Sequence, residues 1–171
     1  MIPFSLVMTS PLPPLRRIIT VHNDAGQTII KYDDRVTNKI VPYSVTLRSL
    51  WTTDTSPANL SSLDNANAKV RIVNNGSIFR IVDFPPRSSG HVHRTISIDY
   101  VIVQKGMAVF VLDDGSKTLV GEGDVIVQQG TVHRWDNPTD EWVCLLFVLL
   151  PAKAPVVAGK KLKDDASSLG T

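Results

Sequence analysis

An all-β chain, a sandwich or barrel of short antiparallel strands, is the fold class this sequence predicts, on three observations. From Lys69 onward, short β-branched and apolar runs recur at Lys69–Val73, Ser77–Phe84, Ser97–Gln104, Met107–Leu112, Lys117–Val120, Asp124–Gln128, His133–Asn137 and Trp142–Leu150. Turn chemistry separates them: NNG at Asn74–Gly76, KG at Lys105 and Gly106, DDGS at Asp113–Ser116, GEG at Gly121–Gly123 and NPTD at Asn137–Asp140. No amphipathic helical period competes with this strand-and-turn spacing.

The elements follow in order. Residues 1–16 end in PLPPLRR, whose prolines forbid regular helix or a central strand, so an extended arm that docks on a neighbour is expected. Arg17–His22 and Gln27–Tyr32 flank the turn NDAG and predict a hairpin, with Asp24 and Gly26 suited to the turn. Residues 34–66, rich in Ser, Asn, Asp and Ala without a period, read as a long loop with a helical turn near Ser61–Asn65. A single domain is expected over 17–151, its barrel core spanning about 77–150, followed by a loosely ordered tail over 152–171.

Composition narrows the function classes. The 171 residues are 43% hydrophobic and 20% charged, which suits one buried core. Net charge is +2 and the 18 Lys and Arg are dispersed, apart from Lys160, Lys161 and Lys163, so nucleic acid is not an expected partner. Cys144 is the only cysteine and lies in the apolar run WVCLLFVLL; it reads as a small core hydrophobe in a reducing compartment. The start MIPFSLVM lacks a basic segment before its apolar stretch, and no run reaches the roughly 18 apolar residues of a membrane span. A cytoplasmic location without membrane contact is the expectation.

The chemistry concentrates in two segments, GHVHRTISIDYVIVQKG at Gly90–Gly106 and GDVIVQQGTVHRWDN at Gly123–Asn137. Strand side chains alternate, so His91, His93, Thr95, Ser97 and Asp99 project to one side while Val92, Arg94, Ile96 and Ile98 project to the other. His133 is the partner brought across from the second segment, and Trp135, two residues on, shares its face. Neutral imidazoles and a carboxylate suit Fe, Mn, Zn, Ni or Cu, and two His with one carboxylate leave coordination positions for substrate or dioxygen. Asp99 beside Arg94 or Arg134 is alternatively an ion pair. By strict alternation Tyr100 faces away from Asp99 and packs. Arg80 and Arg94 are candidates to anchor a substrate carboxylate.

These segments resemble the two sequence motifs of the cupins, small barrels of the jelly-roll, double-stranded β-helix type. Gly123, Asp124, Gly130, His133 and Asn137 match the second motif, with Gln128 where a proline is usual. In the first motif, counting back from Gly106 puts Asp99 at the acidic position and His93 and Thr95 at the two histidine positions, leaving His91 upstream. Taking His91 and His93 as the pair instead requires a bulge or a longer excursion between strands before Asp99. Both registers stay open.

RRIITVHNDAG, LWTTD, RIVDFPP and HRTISIDY further resemble one subgroup of small fungal and bacterial cupins, over about Arg16 to Leu150. Its fungal members accompany the making of aromatic polyketides such as salicylaldehydes and are labelled cupin-domain oxidoreductases. The resemblance implies a divalent metal at His93, His133 and Asp99, with or without His91, catalytic roles for His133 and Asp99, and a substrate pocket involving Trp135, Arg80 and Thr95. It implies metal-dependent oxidation of an aromatic or polyketide-derived small molecule, in a homodimer formed through the N-terminal arm and an edge strand. The alternatives are a cupin lyase, decarboxylase, dehydratase or isomerase without redox chemistry, and a non-catalytic small-molecule-binding cupin.

Overall fold

The computed structural model of the chain describes residues 10–41, 45–60 and 75–165. The expected strand at Lys69–Val73 and the helical turn at Ser61–Asn65 lie outside the described residues. Among the described residues every regular element is a strand: β1 (Leu15–His22), β2 (Thr28–Val36), β3 (Lys39–Ile40), β4 (Thr46–Thr52), β5 (Ile78–Phe84), β6 (Ser88–Ser89) and β7 (Ser97–Lys105) come first. β8 (Ala108–Leu112), β9 (Lys117–Val120), β10 (Val125–Gln129), β11 (His133–Asn137), β12 (Val143–Pro151), β13 (Val156–Val157) and β14 (Lys160–Lys161) follow. No helix among the described residues is long and apolar enough to cross a membrane.

Two antiparallel sheets make the barrel. One has six strands in the order β10, β7, β12, β5, β4, β3; the other has four, in the order β6, β11, β8, β9. Non-sequential neighbours in both sheets are the mark of a jelly roll. β12 lies at the middle because its sequence, VCLLFVLLP, is apolar at almost every position and tolerates burial between two strands. It pairs with β5 on one side, Phe147 opposite Arg80, and with β7 on the other, Leu149 opposite Asp99. The inner faces of both sheets share one core, in which Val101, Val143 and Leu145 of the larger sheet meet Ala108, Val120 and Trp135 of the smaller.

The expected hairpin forms, and β2 runs four residues past Tyr32. Its turn is closed by Asn23, whose side-chain oxygen accepts from the Ala25 and Gln27 amides at 3.1 and 2.9 Å, with Gly26 at φ 75°. β1 and β2 form a sheet of their own.

Residues 34–66 are not simply the long loop that composition predicts. They contain β4, an interior strand of the larger sheet hydrogen-bonded to β5 and β3. The sequence TLRSLWT hides the strand because it is buried on both faces and carries a cation where an apolar residue would be expected. That cation, Arg48, is 3% exposed and donates from Nη2 to both oxygens of Asp83, itself 0% exposed, at 2.5 and 2.7 Å. Arg48 Nη1 also donates to the Pro13 carbonyl at 3.2 Å, fastening the N-terminal arm to the outside of the sheet. There Leu12, Leu15, Val36 and Leu146 pack on Leu50, Ile81 and Cys144. The described part of the arm thus docks on its own chain. Burial pushes the Cys144 thiol up to about 12, in keeping with an unreactive core cysteine.

The segment after Pro151, expected to be loosely ordered, carries the small hairpin β13 and β14. Asp165 then exchanges backbone bonds with Arg94, and Asp164 accepts from the Ile96 amide at 2.6 Å. The polar composition that reads as a tail supplies the Asp164 carboxylate cap and, at Asp165, a backbone bridge instead.

Removing one member of a buried ion pair strands the other charge in the interior, which costs about 3–5 kcal/mol. Arg48→Ala is therefore expected to lower the unfolding free energy by about that amount in urea titration, whereas Arg16→Ala, in an exposed and solvent-screened pair with Asp33, leaves the urea midpoint almost unchanged.

Candidate functional site

β11 aims His133, Trp135 and Asn137 into the barrel, and each is buried. Asn137 is structural: its Nδ2 donates to the carbonyls of Phe84, Pro85 and Glu141 at 3.2, 2.9 and 2.7 Å. The histidines of the first segment meet this strand directly. His93 and His133 exchange both backbone hydrogen bonds, at 3.0 and 2.9 Å, so they are an opposed antiparallel pair whose rings fall on the same face. Their ring centroids are 4.3 Å apart, and His91, one alternation earlier, places its ring 4.6 Å from that of His93.

Two local features produce this placement. Gly90 lies so close to β11 that an added Cβ would sit 2.7 Å from the Trp135 carbonyl oxygen, so only glycine lets the chain approach. The register then slips by one residue between the Ser89–Asp136 and His93–His133 pairs, a bulge that carries both His91 and His93 to the site. Beyond Arg94 the chain leaves β11 and crosses to the larger sheet, entering β7 at Ser97. This crossing is the longer excursion that pairing His91 with His93 requires. Thr95, which the other register puts in a histidine position, instead lies 2.9 Å from the Ser97 hydroxyl.

Hydrogen bonding fixes the tautomers. Nδ1 of His93 is 3.2 Å from the His91 carbonyl and Nδ1 of His133 is 3.1 Å from the Thr131 carbonyl. A carbonyl only accepts, so each Nδ1 carries the proton and each Nε2 keeps its lone pair. Burial also keeps the rings neutral. Desolvation, and next the neighbouring imidazole, bring His133 down to about 3 and His91 to about 4; desolvation lowers His93 as well.

Asp99 lies on the opposite sheet, 3% exposed, and takes part in a different network. Its Oδ1 accepts from Ser97 Oγ at 2.6 Å, and Gln128 Nε2, directly across from it on β10, reaches Oδ2 at 3.5 Å. With the Ser97 proton given to Asp99, Thr95 is the donor to Ser97. Burial raises the Asp99 carboxyl, opposed by the Ser97 hydrogen bond and by the charge of Arg80. Arg80, inward on β5, is held above the Phe147 ring with its guanidinium carbon 5.9 Å from the centroid. Desolvation pulls its pKa down and Asp99 opposes this. Arg134 pairs with Asp136 at 2.8 Å and not with Asp99. Tyr100 points outward, as alternation requires.

The candidates thus form two groups in one interior: imidazoles of His91, His93 and His133 along the smaller sheet, and Thr95, Ser97, Asp99, Gln128 and Arg80 along the larger. Trp135 is a core residue, 4% exposed, with its ring 4.5 Å from Phe110 and edge-on to Phe147 at 6.1 Å. Its Nε1–H is buried without a hydrogen-bond partner among the described residues, and so is Gln128 Oε1. Gln128 and Phe110, whose ring is 5.8 Å from His133, are site residues that the motifs do not single out. A polar residue at an inward position of the VIVQ run was the available signal for Gln128.

Among the described residues no three His, Cys, Asp or Glu side chains already form a metal cage. The donor chemistry nevertheless fits a divalent ion: adjacent neutral imidazoles, with the Nδ1–H of His93 and His133 tied to backbone carbonyls and Nε2 presented, are the arrangement typical of metal-binding histidine. Asp99, engaged by Ser97 and Gln128, stands apart from that set.

Comparison with known proteins agrees with this architecture. The cupin domain family matches residues 80–149. The chain is 32% identical to the cupin-domain-containing oxidoreductase srdD of Neurospora crassa, over 95% of its own length and 90% of the relative's. It is also 32% identical to phomopsin biosynthesis cluster protein C' of Diaporthe leptostromiformis, covering 92% of this chain and 95% of that one. Among solved structures, the polyketide cyclase RemF of Streptomyces resistomycificus superposes with a TM-score of 0.51 at 18% identity, over 76% of this chain and 78% of the other, a likeness of fold. A jelly roll whose two motifs meet at His93 and His133, with relatives alike along nearly the whole length, makes the chain a member of the cupin family.

Proposed function

We propose that this cupin is a metal-dependent enzyme that oxidises a small aromatic or polyketide-derived molecule inside its barrel. The observation that carries the reading is the group of three neutral imidazoles, two of them with Nδ1 tied to carbonyls and Nε2 presented. Relatives named as oxidoreductases and as biosynthesis-cluster proteins support the reaction class and the substrate class. In this reading His91, His93 and His133 would hold the ion, and a divalent Fe, Mn, Zn, Ni or Cu bound there would supply Lewis acidity to a substrate oxygen or, where the ion is redox-active, would pass electrons from the substrate to dioxygen.

The remaining residues bind and orient. Phe110, whose ring lies 5.8 Å from that of His133 and is backed by Trp135, is the aromatic surface beside the imidazoles for an aromatic substrate. The Trp135 Nε1–H and Gln128 Oε1 have hydrogen-bonding capacity for a guest, one as donor and one as acceptor. Arg80 supplies positive charge for a phenolate or carboxylate. Asp99, desolvated and in contact with the Ser97 hydroxyl, is placed to hold or release a proton.

That proton-holding network favours a second reading, a lyase or isomerase without net oxidation, in which Asp99 and His133 act as acid and base. Oxygen dependence separates the two: full turnover under strict anaerobiosis, with no oxidised product, establishes the lyase.

Elemental analysis of protein purified without a histidine tag is expected to find near-stoichiometric transition metal, and His133→Ala to lose both metal and turnover. Protein that takes up no metal after reconstitution, or a His133→Ala variant with full activity, refutes the metal enzyme. The imidazoles also set a pH dependence. Their folded pKa values lie below the unfolded value of 6.5, so the unfolded chain binds more protons as pH falls. Their stabilising contribution is complete above pH 6.5 and is lost between there and about pH 3. In metal-free protein, His133→Gln is expected to flatten this decline in urea midpoints measured across that window.

A further inference from the structure

The short stretch from Arg94 to Ser97 carries the chain from the smaller sheet to the larger and separates the two halves of the interior site. His93 pairs with His133 of β11 on one side of it, and Ser97 begins the pairing of β7 with β12, opposite Pro151, on the other. In between, Thr95 and Ser97 turn inward, 2% and 5% exposed, while Arg94 and Ile96 are half-buried. Ile96 stands midway in the chain between His93 and Asp99. A displacement there reaches the imidazoles in one direction and the carboxylate in the other.

A segment that passes between sheets has no ladder of its own, so its backbone groups need partners from elsewhere. On one side the β10–β11 loop lies against it: a Cβ on Gly130 would sit 3.6 Å from the Thr95 carbonyl oxygen and 3.8 Å from that of Ser97. On the other side an open cleft of about 860 Å³, lined by Ile96, Ala152, Ala154, Val156 and Leu162 among others, keeps the β13–β14 hairpin from packing closely on the crossing. Hydrogen bonds therefore make the junction. Arg94 and Asp165 exchange both backbone bonds, at 2.8 and 2.9 Å, and Asp164 Oδ1 accepts from the Ile96 amide at 2.6 Å. The bond to Asp164 is short and charge-assisted, and it alone of the three is made by a side chain.

We propose that Asp164 is a positioning residue for the interior site: from 68 positions further on in the chain, its carboxylate holds the Ile96 amide and so sets where the crossing places His93 against His133 and Ser97 beside Asp99. The inference rests on the reading of the imidazoles and the Asp99 network as one site. An ordinary cap on a surface turn matters only to the amide it caps, whereas this one acts on the connection between two sets of functional groups. Such groups must be held to within about 0.5 Å to work together, so a small movement of the crossing is enough to be felt. A hydrogen bond to a charged group shifts a local opening equilibrium by about tenfold at the lower end of its range, the end suited to an exposed bond. Because water can replace the bond at this exposed position, its loss leaves global stability nearly unchanged. The consequence is confined to the site.

Amide hydrogen exchange, followed by NMR on the full chain without metal, tests this. The His93 and His133 amides donate to each other's carbonyls, and Asp164→Ala is expected to speed their exchange about tenfold while the thermal midpoint stays almost unchanged. Asp164→Asn, whose side-chain oxygen still accepts, is expected to restore most of that protection, and Lys163→Ala, next to it and exposed, to leave it as in wild type. Faster exchange confined to Ile96 overturns the proposal, because Asp164 then caps one amide and nothing more. An Asp164→Asn chain as unprotected as Asp164→Ala overturns it too, since the acceptor and not the charge is what the geometry invokes. So does an Asp164→Ala chain that unfolds, which would make the residue a support of the whole fold. Competition titration with zinc supplies a second reading: Asp164→Ala is expected to bind zinc about tenfold more weakly than wild type, and equal affinity counts as refutation. Wild type that takes up no metal on reconstitution refutes the metal reading alone, and the exchange rates then decide the role of Asp164.

Discussion

The register of β12 is the constraint on which the rest of the molecule depends. It is bonded along both edges, to β5 and to β7, and its inward residues Val143, Leu145, Phe147 and Leu149 are all but fully buried. A slip of one residue would turn those side chains to the outside and break alignment with both neighbours at once. Because it holds, Arg80 is fixed opposite Phe147 and Asp99 opposite Leu149, and both point inward. The same alternation leaves Val148 beside Tyr100 on the outside, so the polar interior and the apolar exterior have a single cause.

A barrel with so many polar groups inside must satisfy or neutralise them. Asp83 and Arg48 do so by pairing, Asn137 by donating to three carbonyls, and the imidazoles by remaining uncharged. Asp99 has a hydroxyl and an amide as neighbours, and its carboxyl rises in consequence of burial. Trp135 Nε1 and Gln128 Oε1 are among the exceptions on the described residues. A buried donor or acceptor without a partner costs about 1–3 kcal/mol, which is why such atoms draw attention as ligand contacts.

Much of the fold was legible in the residues. Each run from Ser77 to Leu150 became a strand within a residue or two of its expected ends, because period-two patterning and turn residues agree along that stretch. β4 escaped because strand reading depends on apolar alternation, and Arg48 breaks it; the cation is acceptable only beside Asp83, 35 positions away in the chain. The tail escaped because Asp164 and Asp165 look solvated until the Ile96 and Arg94 backbones are brought to them.

By itself the sequence determined the strand periodicity, the cupin motifs and the identity of the residues that share an inward face, since these follow from local alternation. Tertiary structure decided which of them meet. Whether His91 or Thr95 accompanies His93 turns on a one-residue bulge and a crossing between sheets, and neither has a local signal beyond Gly90. It also decided that Asp99 faces Gln128 across β10, a pairing set by hydrogen bonds between strands distant in the chain. Non-local pairings of this kind are chosen by the packing of the whole barrel, and no window of neighbouring residues contains them.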